Sequence, residues 1–455
     1  MKPLKVLPLL LLSASMLLAP INSRAQTVTN ITSGCNAFHS LFLKSDGSLW
    51  AMGFNSFGQL GDGTLKQTNL PEQIVASNVT AITVGYGHSL FLKSDDSLWA
   101  MGWNILGQLG DGTLKQTNLP EQIVASGVTA IAAGSYHSLF LKSDSSLWAM
   151  GDNSYGELGD GTSKIGTNLP EQIVTSGVTA IAAGQYHSLF LKSDGSLWAM
   201  GDNESGQLGD GTYNYTNRPE QIVAGGVTAS AAGGYHSLFL KSDGSLWAMG
   251  TNFLGQLGDG TFNKTNRPEQ IVASGVTAIA AGYYHSLFLK SDGSLWAMGY
   301  NVYGQLGDGT TDSGHYKTNR PEQIVASNVT AIAAGYSHSL FLKSDGSLWG
   351  MGANSSGQLG DGFSPNTLMP EQIFPTPQPV LSSALSSQTN LQFNATCGFG
   401  GTFYLLGSAD MTMPLSQWTP LATNAVTARG TNNYSVTLTN AFNPGGQQFY
   451  ILKSQ

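Results

Sequence analysis

His285-Ser286-Leu287-Phe288-Leu289-Lys290-Ser291-Asp292-Gly293-Ser294-Leu295-Trp296-Ala297-Met298 reads as two strands joined by a turn. Asp292-Gly293 supplies the positive φ angles that a tight hairpin requires. Upstream, Val276 to Ala281 is a strand of small residues. Downstream, Gly304-Gln305-Leu306-Gly307-Asp308-Gly309-Thr310 is a glycine-rich loop. Pro321 to Val325 follows as a short fourth strand, with its proline at the start, where a missing N–H is tolerated. Four short strands without a helical period make one blade of a propeller.

The unit recurs seven times between Val28 and Phe374. Its histidines are His39, His88, His137, His187, His236, His285 and His338, at spacings of 49 to 53. The matching tryptophans are Trp50, Trp99, Trp148, Trp198, Trp247, Trp296 and Trp349. A lone four-stranded sheet leaves both faces wet, whereas stacked blades bury them and a closed ring protects their edges. The expected fold is therefore all-β, a seven-bladed propeller. The end units depart from the rest, with Cys35-Asn36 in the first and Gly350, Phe363 and Phe374 in the last.

The composition agrees. The 455 residues include 57 glycines, only 11% are charged, and the net charge is −8. Such a chain is turn-rich and is neither a coiled coil nor a charged disordered segment. Its acidic balance argues against nucleic acid and anionic membrane surfaces. Residues 1–25 read as a secretory signal peptide: Lys2 and Lys5, an apolar run too short to span a membrane, then Ser23-Arg24-Ala25. Cleavage before Gln26 leaves 17 basic against 28 acidic residues, a net −11. Cys35 and Cys397 either pair or remain thiols. The propeller spans 26–374. Residues 375–390, rich in Pro and Ser, read as a linker, and 391–455 as five strands of a small β-sandwich.

The pattern Gly-x-x-His-Ser-Leu, Ser-Asp-Gly and Trp-x-Met-Gly-x-Asn-x-x-Gly-Gln-Leu-Gly-Asp-Gly resembles the repeat of the regulator of chromosome condensation family. The resemblance covers all seven units. It implies a seven-bladed propeller, and the family includes secreted bacterial members, such as a propeller-type β-lactamase inhibitory protein, that bind another protein.

A residue present once per blade has a per-blade task. Each repeated His is expected to donate to backbone, since buried polar groups need partners. Seven histidines on separate blades do not converge on one metal ion. Each Trp is expected to wedge between blades and each hairpin Lys to be a solvated edge charge. The Asp of Gly-Asp-Gly-Thr is expected to close an Asx-turn. No catalytic constellation, cofactor site or phosphate loop stands out.

Function is sought where the copies differ. The variable loop positions carry Phe54, Phe57, Trp103, Leu106, Tyr155, Asp202, Glu204, Tyr213, Tyr215, Phe253, Phe262, Tyr300, Tyr303 and Tyr316. Aromatics on loops are the composition of a recognition surface. Asp152, Asp202 and Glu204 suit a basic partner patch. The expectation is a secreted or cell-surface monomer, not an enzyme, that binds a protein through these loops. A glycan is the alternative ligand. Guanine-nucleotide exchange ranks third, because a secretory leader argues against a cytosolic GTPase and the largest blade enlargement is only four residues.

Overall fold

The computed structural model describes residues 27–164, 166–311 and 317–374, and six strands between 380 and 454. Every regular element among them is a strand. Twenty-eight strands form seven four-stranded antiparallel sheets, each built from consecutive strands in simple up-and-down order. In the first blade these are Val28–Thr32, His39–Lys44, Leu49–Gly53 and Thr68–Val75. The first strands of successive blades approach one another and line the axis, and the half-exposed fourth strands form the outer rim.

The register explains why the dipeptide His-Ser recurs. Successive side chains of a strand point to opposite faces. In blade two, Leu90 and Leu92 face blade three, where they meet Phe140 and Met150. His88 shares that direction, and Ser138 points back at it from blade three. Each second strand therefore has a forward face and a backward face, and the core is seven repeated seams between blades. The wedge in every seam is the fully buried Phe (Phe42, Phe91, Phe140, Phe190, Phe239, Phe288, Phe341). Burying one such ring contributes about 1.5–3 kcal/mol.

The tryptophans differ from expectation. They are half-buried, stacked on that Phe at 6.0–6.1 Å between ring centres. Each indole N–H donates to the Ser two residues earlier, as Trp99 does to Ser97 at 2.8 Å. The hairpin lysines are not simply solvated: each Nζ lies 3.5–4.1 Å from the centre of a Trp ring. Trp outer faces and aliphatic Lys stems together seal the edge of each seam.

The ring closes without exchanging a strand. Val28 N–H donates to the Gly346 carbonyl at 3.2 Å, as Val79 N–H donates to Gly47 at the next seam. Phe374 takes the place of the usual Val and packs on Phe42 at 6.0 Å. Lys44 is held between Trp50 and Phe374. Gly350 replaces Ala because a Cβ there would lie 2.7 Å from Ile373 Cδ1.

Beyond the ring, Val380–Leu385 lies inside the stretch read as linker and pairs with Leu391–Cys397, which pairs with Asn432–Leu438. A second sheet orders Thr419–Val426, Gly401–Ser408 and Phe449–Ser454. The stretch 391–455 holds five strands, the number expected, and Val380–Leu385 adds a sixth, in two antiparallel sheets among the described residues. Cys35 is a buried free thiol, and burial pushes it up to about 12. The expected leader at 1–25 lies outside the described residues.

Candidate functional site

Two loops of every blade share one face of the disc. Pairing of His39 with Gly53, and of Gly53 with Thr68, puts the first-to-second and third-to-fourth strand connections at the same end. The variable positions before each repeated His, around the Asn after Met-Gly, and after Gly-Asp-Gly-Thr therefore all open on one face. The hairpins and the links between blades occupy the other.

Invariant side chains form the frame of this face. Asn104, fully buried, donates from Nδ2 to Asp111 Oδ1 at 2.9 Å and accepts from Leu109 N–H at 3.0 Å. Gln108 Oε1 accepts from Leu106 N–H at 3.1 Å. Asp111 accepts from the Thr113 N–H and hydroxyl, an Asx-turn of the kind the sequence indicates. The same set recurs in other blades; at Asp62 burial pushes the carboxyl up, but bonds from Thr64 and Asn55 outweigh it and hold it below its ordinary value. With the loop backbone so clamped, the remaining positions are free to vary.

Below the frame runs a belt of buried imidazoles. Each His Nε2 meets a Ser hydroxyl of the next blade at 2.8–2.9 Å, from His39–Ser89 around to His338–Ser40. The partner is thus a side chain and not the expected backbone group. Ser138 Oγ in turn donates to the Gln108 carbonyl, which can only accept, so His88 Nε2 must carry the proton. Burial lowers these histidines to about 3. The Gly of Gly-x-x-His exists for this ring: a Cβ on Gly134 would sit 2.3 Å from His137 Cε1. Among the described residues, no three His, Cys, Asp or Glu side chains gather to hold a metal.

Above the frame, aromatic rings form a wheel at the mouth of the central channel. Tyr336 stacks on Phe38 at 4.7 Å, Phe38 meets Tyr86, and Tyr86, Tyr136 and Tyr186 follow at 5.7–5.8 Å. From the other side Tyr336 meets Tyr283, which meets Tyr235. Asn36 Nδ2 reaches past blade two to Ser135 Oγ of blade three at 3.1 Å. A second tier stands outside. Phe54 contacts Phe57, and Phe57 stacks on Trp103 at 4.8 Å. Tyr155 contacts Tyr186, Phe253 contacts Tyr284, and Tyr300 contacts both Tyr284 and Tyr303. Leu106 lines a groove of about 400 Å³ between the loops of blades two and three, with Ile105, Leu114 and Lys164.

The structure brings Phe54, Phe57, Trp103, Tyr155, Phe253, Tyr300 and Tyr303 into this double tier. Tyr213, Tyr215 and Phe262 stand apart at the rim, exposed, with Lys264 over Tyr213 and Lys317 over Phe262. Tyr316 lies outside the described residues. Asp202 is buried and Glu204 exposed. Among the described residues, the exposed large apolar side chains, from Leu65 to Met369, lie on this face or at the start of a fourth strand beside it. Two members escape the sequence reading. Phe38 hides in the atypical first unit. Glu157 is visible only as the one Glu where six blades read Gln in Gly-Gln-Leu-Gly.

Residues 15–272 and 125–404 match the model of the RCC1-like domain. The chain belongs to the RCC1-like domain family. Human WBSCR16 is 25% identical over 73% of this chain and 95% of that one, with a TM-score of 0.65. Prp20p of Saccharomyces cerevisiae, described with its binding properties to Gsp1p and histones, is 25% identical over 75% and 90%, with a TM-score of 0.66. Yeast RCC1 (Prp20) bound to Kap60, at 23% identity over 79% and 86% and a TM-score of 0.65, shows the shared fold.

These likenesses overturn the expectation of a secreted binding protein, together with its glycan-binding alternative. Aromatic loops describe a surface and not its partner, and the two relatives are eukaryotic proteins rather than the bacterial ones expected. No helix among the described residues is long and apolar enough to cross a membrane.

Proposed function

We propose that this propeller is an exchange factor that seats a guanine-nucleotide-binding protein on its aromatic face. The carrying observation is the gathering of the exposed apolar side chains and the aromatic double tier on one face of a family propeller similar to Prp20p, which binds Gsp1p. Exchange needs no bond made or broken. A factor that binds the nucleotide-free partner more tightly than the loaded one weakens nucleotide binding by the same ratio. A rigid ring suits this role, because a preformed surface loses little entropy on docking. Asp152, Asp202 and Glu204 add negative charge that opposes phosphate at the same surface.

Release of a fluorescent GDP analogue from Gsp1p tests the reading. The chain is expected to accelerate release by at least about tenfold, or roughly 1.4 kcal/mol off the barrier. Trp103→Ala with Tyr300→Ala should abolish the effect. No acceleration with Gsp1p or with a panel of small GTPases overturns the proposal. So does a mature chain cut before Gln26 and found only outside the compartment that holds such GTPases. For the tail we propose a sandwich of its two sheets, which limited proteolysis at 375–379 would release as a folded fragment.

A further inference from the structure

We propose that the sector of the aromatic face between blades three and four is a receptor for one basic side chain, an arginine guanidinium, presented by the docked partner. The proposal rests on the reading that this face docks a protein. Blades three and four place Asp152 and Asp202 where the others place Phe54, Trp103, Thr251, Tyr300 and Ala353. Asp202 accepts from Glu204 N–H at 3.0 Å and from Gln207 Nε2 at 2.8 Å. Glu204 projects beside it into solvent. Among the described residues no Lys, Arg or His pairs with Asp152, Asp202, Glu204 or Glu157. Lys264, the nearby cation, donates to the Glu204 backbone carbonyl and rests on Tyr213.

Two buried side chains have unpartnered atoms here. Glu157 is fully buried and its Oε2 takes the Tyr155 N–H at 2.8 Å; its Oε1 has no partner, as the Gln Nε2 at the same place has none in five other blades, but here the atom belongs to a carboxyl. Gln185 is 6% exposed, lies at the Tyr186 hydroxyl, and its Oε1 is likewise unpartnered. Tyr155 and Tyr186 stand 5.1 Å apart and Tyr136 lies 5.7 Å from Tyr186, offering ring faces to a cation. Burial and then the like charge of Glu204 raise Asp202, a strain that an incoming cation reverses. A planar guanidinium supplies charge, a stacking surface and five donors at once, more than an ammonium offers. An inorganic ion is disfavoured because no three ligating side chains converge.

Agmatine is the probe, titrated into the full chain at pH 7 and followed by tyrosine ring resonances, with N-butylacetamide as the uncharged control. Saturable binding of agmatine alone is expected, weakened about tenfold by Asp202→Asn and several-fold by Tyr155→Leu. Tyr303→Leu, on blade six, should bind normally. Glu204→Gln alters an exposed side chain and keeps the test valid if Asp202→Asn fails to fold. Non-saturating shifts, wild-type affinity in Asp202→Asn and Glu204→Gln, or calcium displacing agmatine overturns the proposal. Nucleotide release is not read in this experiment, so failure of the exchange reading and failure of the receptor are told apart.

Discussion

At the scale of single residues, the His–Ser belt sets the largest local stake. Removing Ser138 Oγ leaves His88 Nε2–H and the Gln108 carbonyl buried without partners. Ser138→Ala is expected to cost about 2–4 kcal/mol, read from the midpoint of urea unfolding. Glu157 works in the opposite sense. Burial, then the charge of Asp152, raises it to about 8. Its folded value exceeds its unfolded one, so the folded state holds the extra proton and stability falls as pH rises from about 4.5 through 8. Glu157→Gln, which restores the residue of the other six blades, should gain stability across that window and level off above it. By pH 9 the gain should be roughly 2–5 kcal/mol. A flat difference between the two proteins from pH 5 to 9 would show that the carboxyl is already solvated. The repeat makes His and Ser legible as per-blade residues, but their pairing is not. Alternation sends neighbours to opposite faces, and each partner lies about fifty residues away in the next blade.

At the scale of elements, the hairpin turns show how far a local reading reaches. Asp-Gly marks five of the seven, with Gly at φ near +75° in each, as at Gly293 (φ 76°). Blades two and three must adopt the same turn with Asp96 (φ 59°) and Ser145 (φ 63°). A left-handed side chain costs about 1–2 kcal/mol, and Gly's greater freedom in the unfolded chain returns part of it. Asp96→Gly and Ser145→Gly should each therefore stabilise by about 0.5–1 kcal/mol, measured as a rise in urea midpoint. Loss of stability in both would mean that the side chains hold the turn through contacts that outweigh the backbone term. Blade existence, strand order and loop positions are legible because the chain repeats them seven times. The tail offers one copy of each element, and its strand at Val380–Leu385 falls in a Pro- and Ser-rich stretch that reads as linker.

At the scale of the whole molecule, the closed ring multiplies one weak titration by seven. Each imidazole is fully buried and stays neutral down to about pH 3, whereas in the unfolded chain it titrates near 6.5. Between those values the unfolded state binds more protons, so stability is complete above about 6.5 and drains as pH falls. Seven histidines give a limiting slope of about 9 kcal/mol per pH unit. The hairpin carboxylates act in the same direction, since hydroxyl and N–H donors from the following Ser hold Asp95 and its equivalents below their ordinary value. Glu157 opposes them, but as a single group. Against a typical stability of about 5–15 kcal/mol, the ring should come apart between about pH 5 and 6. The transition should be cooperative, because opening one seam strips a buried face from both blades beside it. Tryptophan fluorescence against pH checks this, since every seam carries one indole of the repeat under a lysine. Native fluorescence persisting at pH 3.5 would mean that water reaches the Nδ1 atoms, which have no partner here, and would remove the belt from the account of what holds the ring shut.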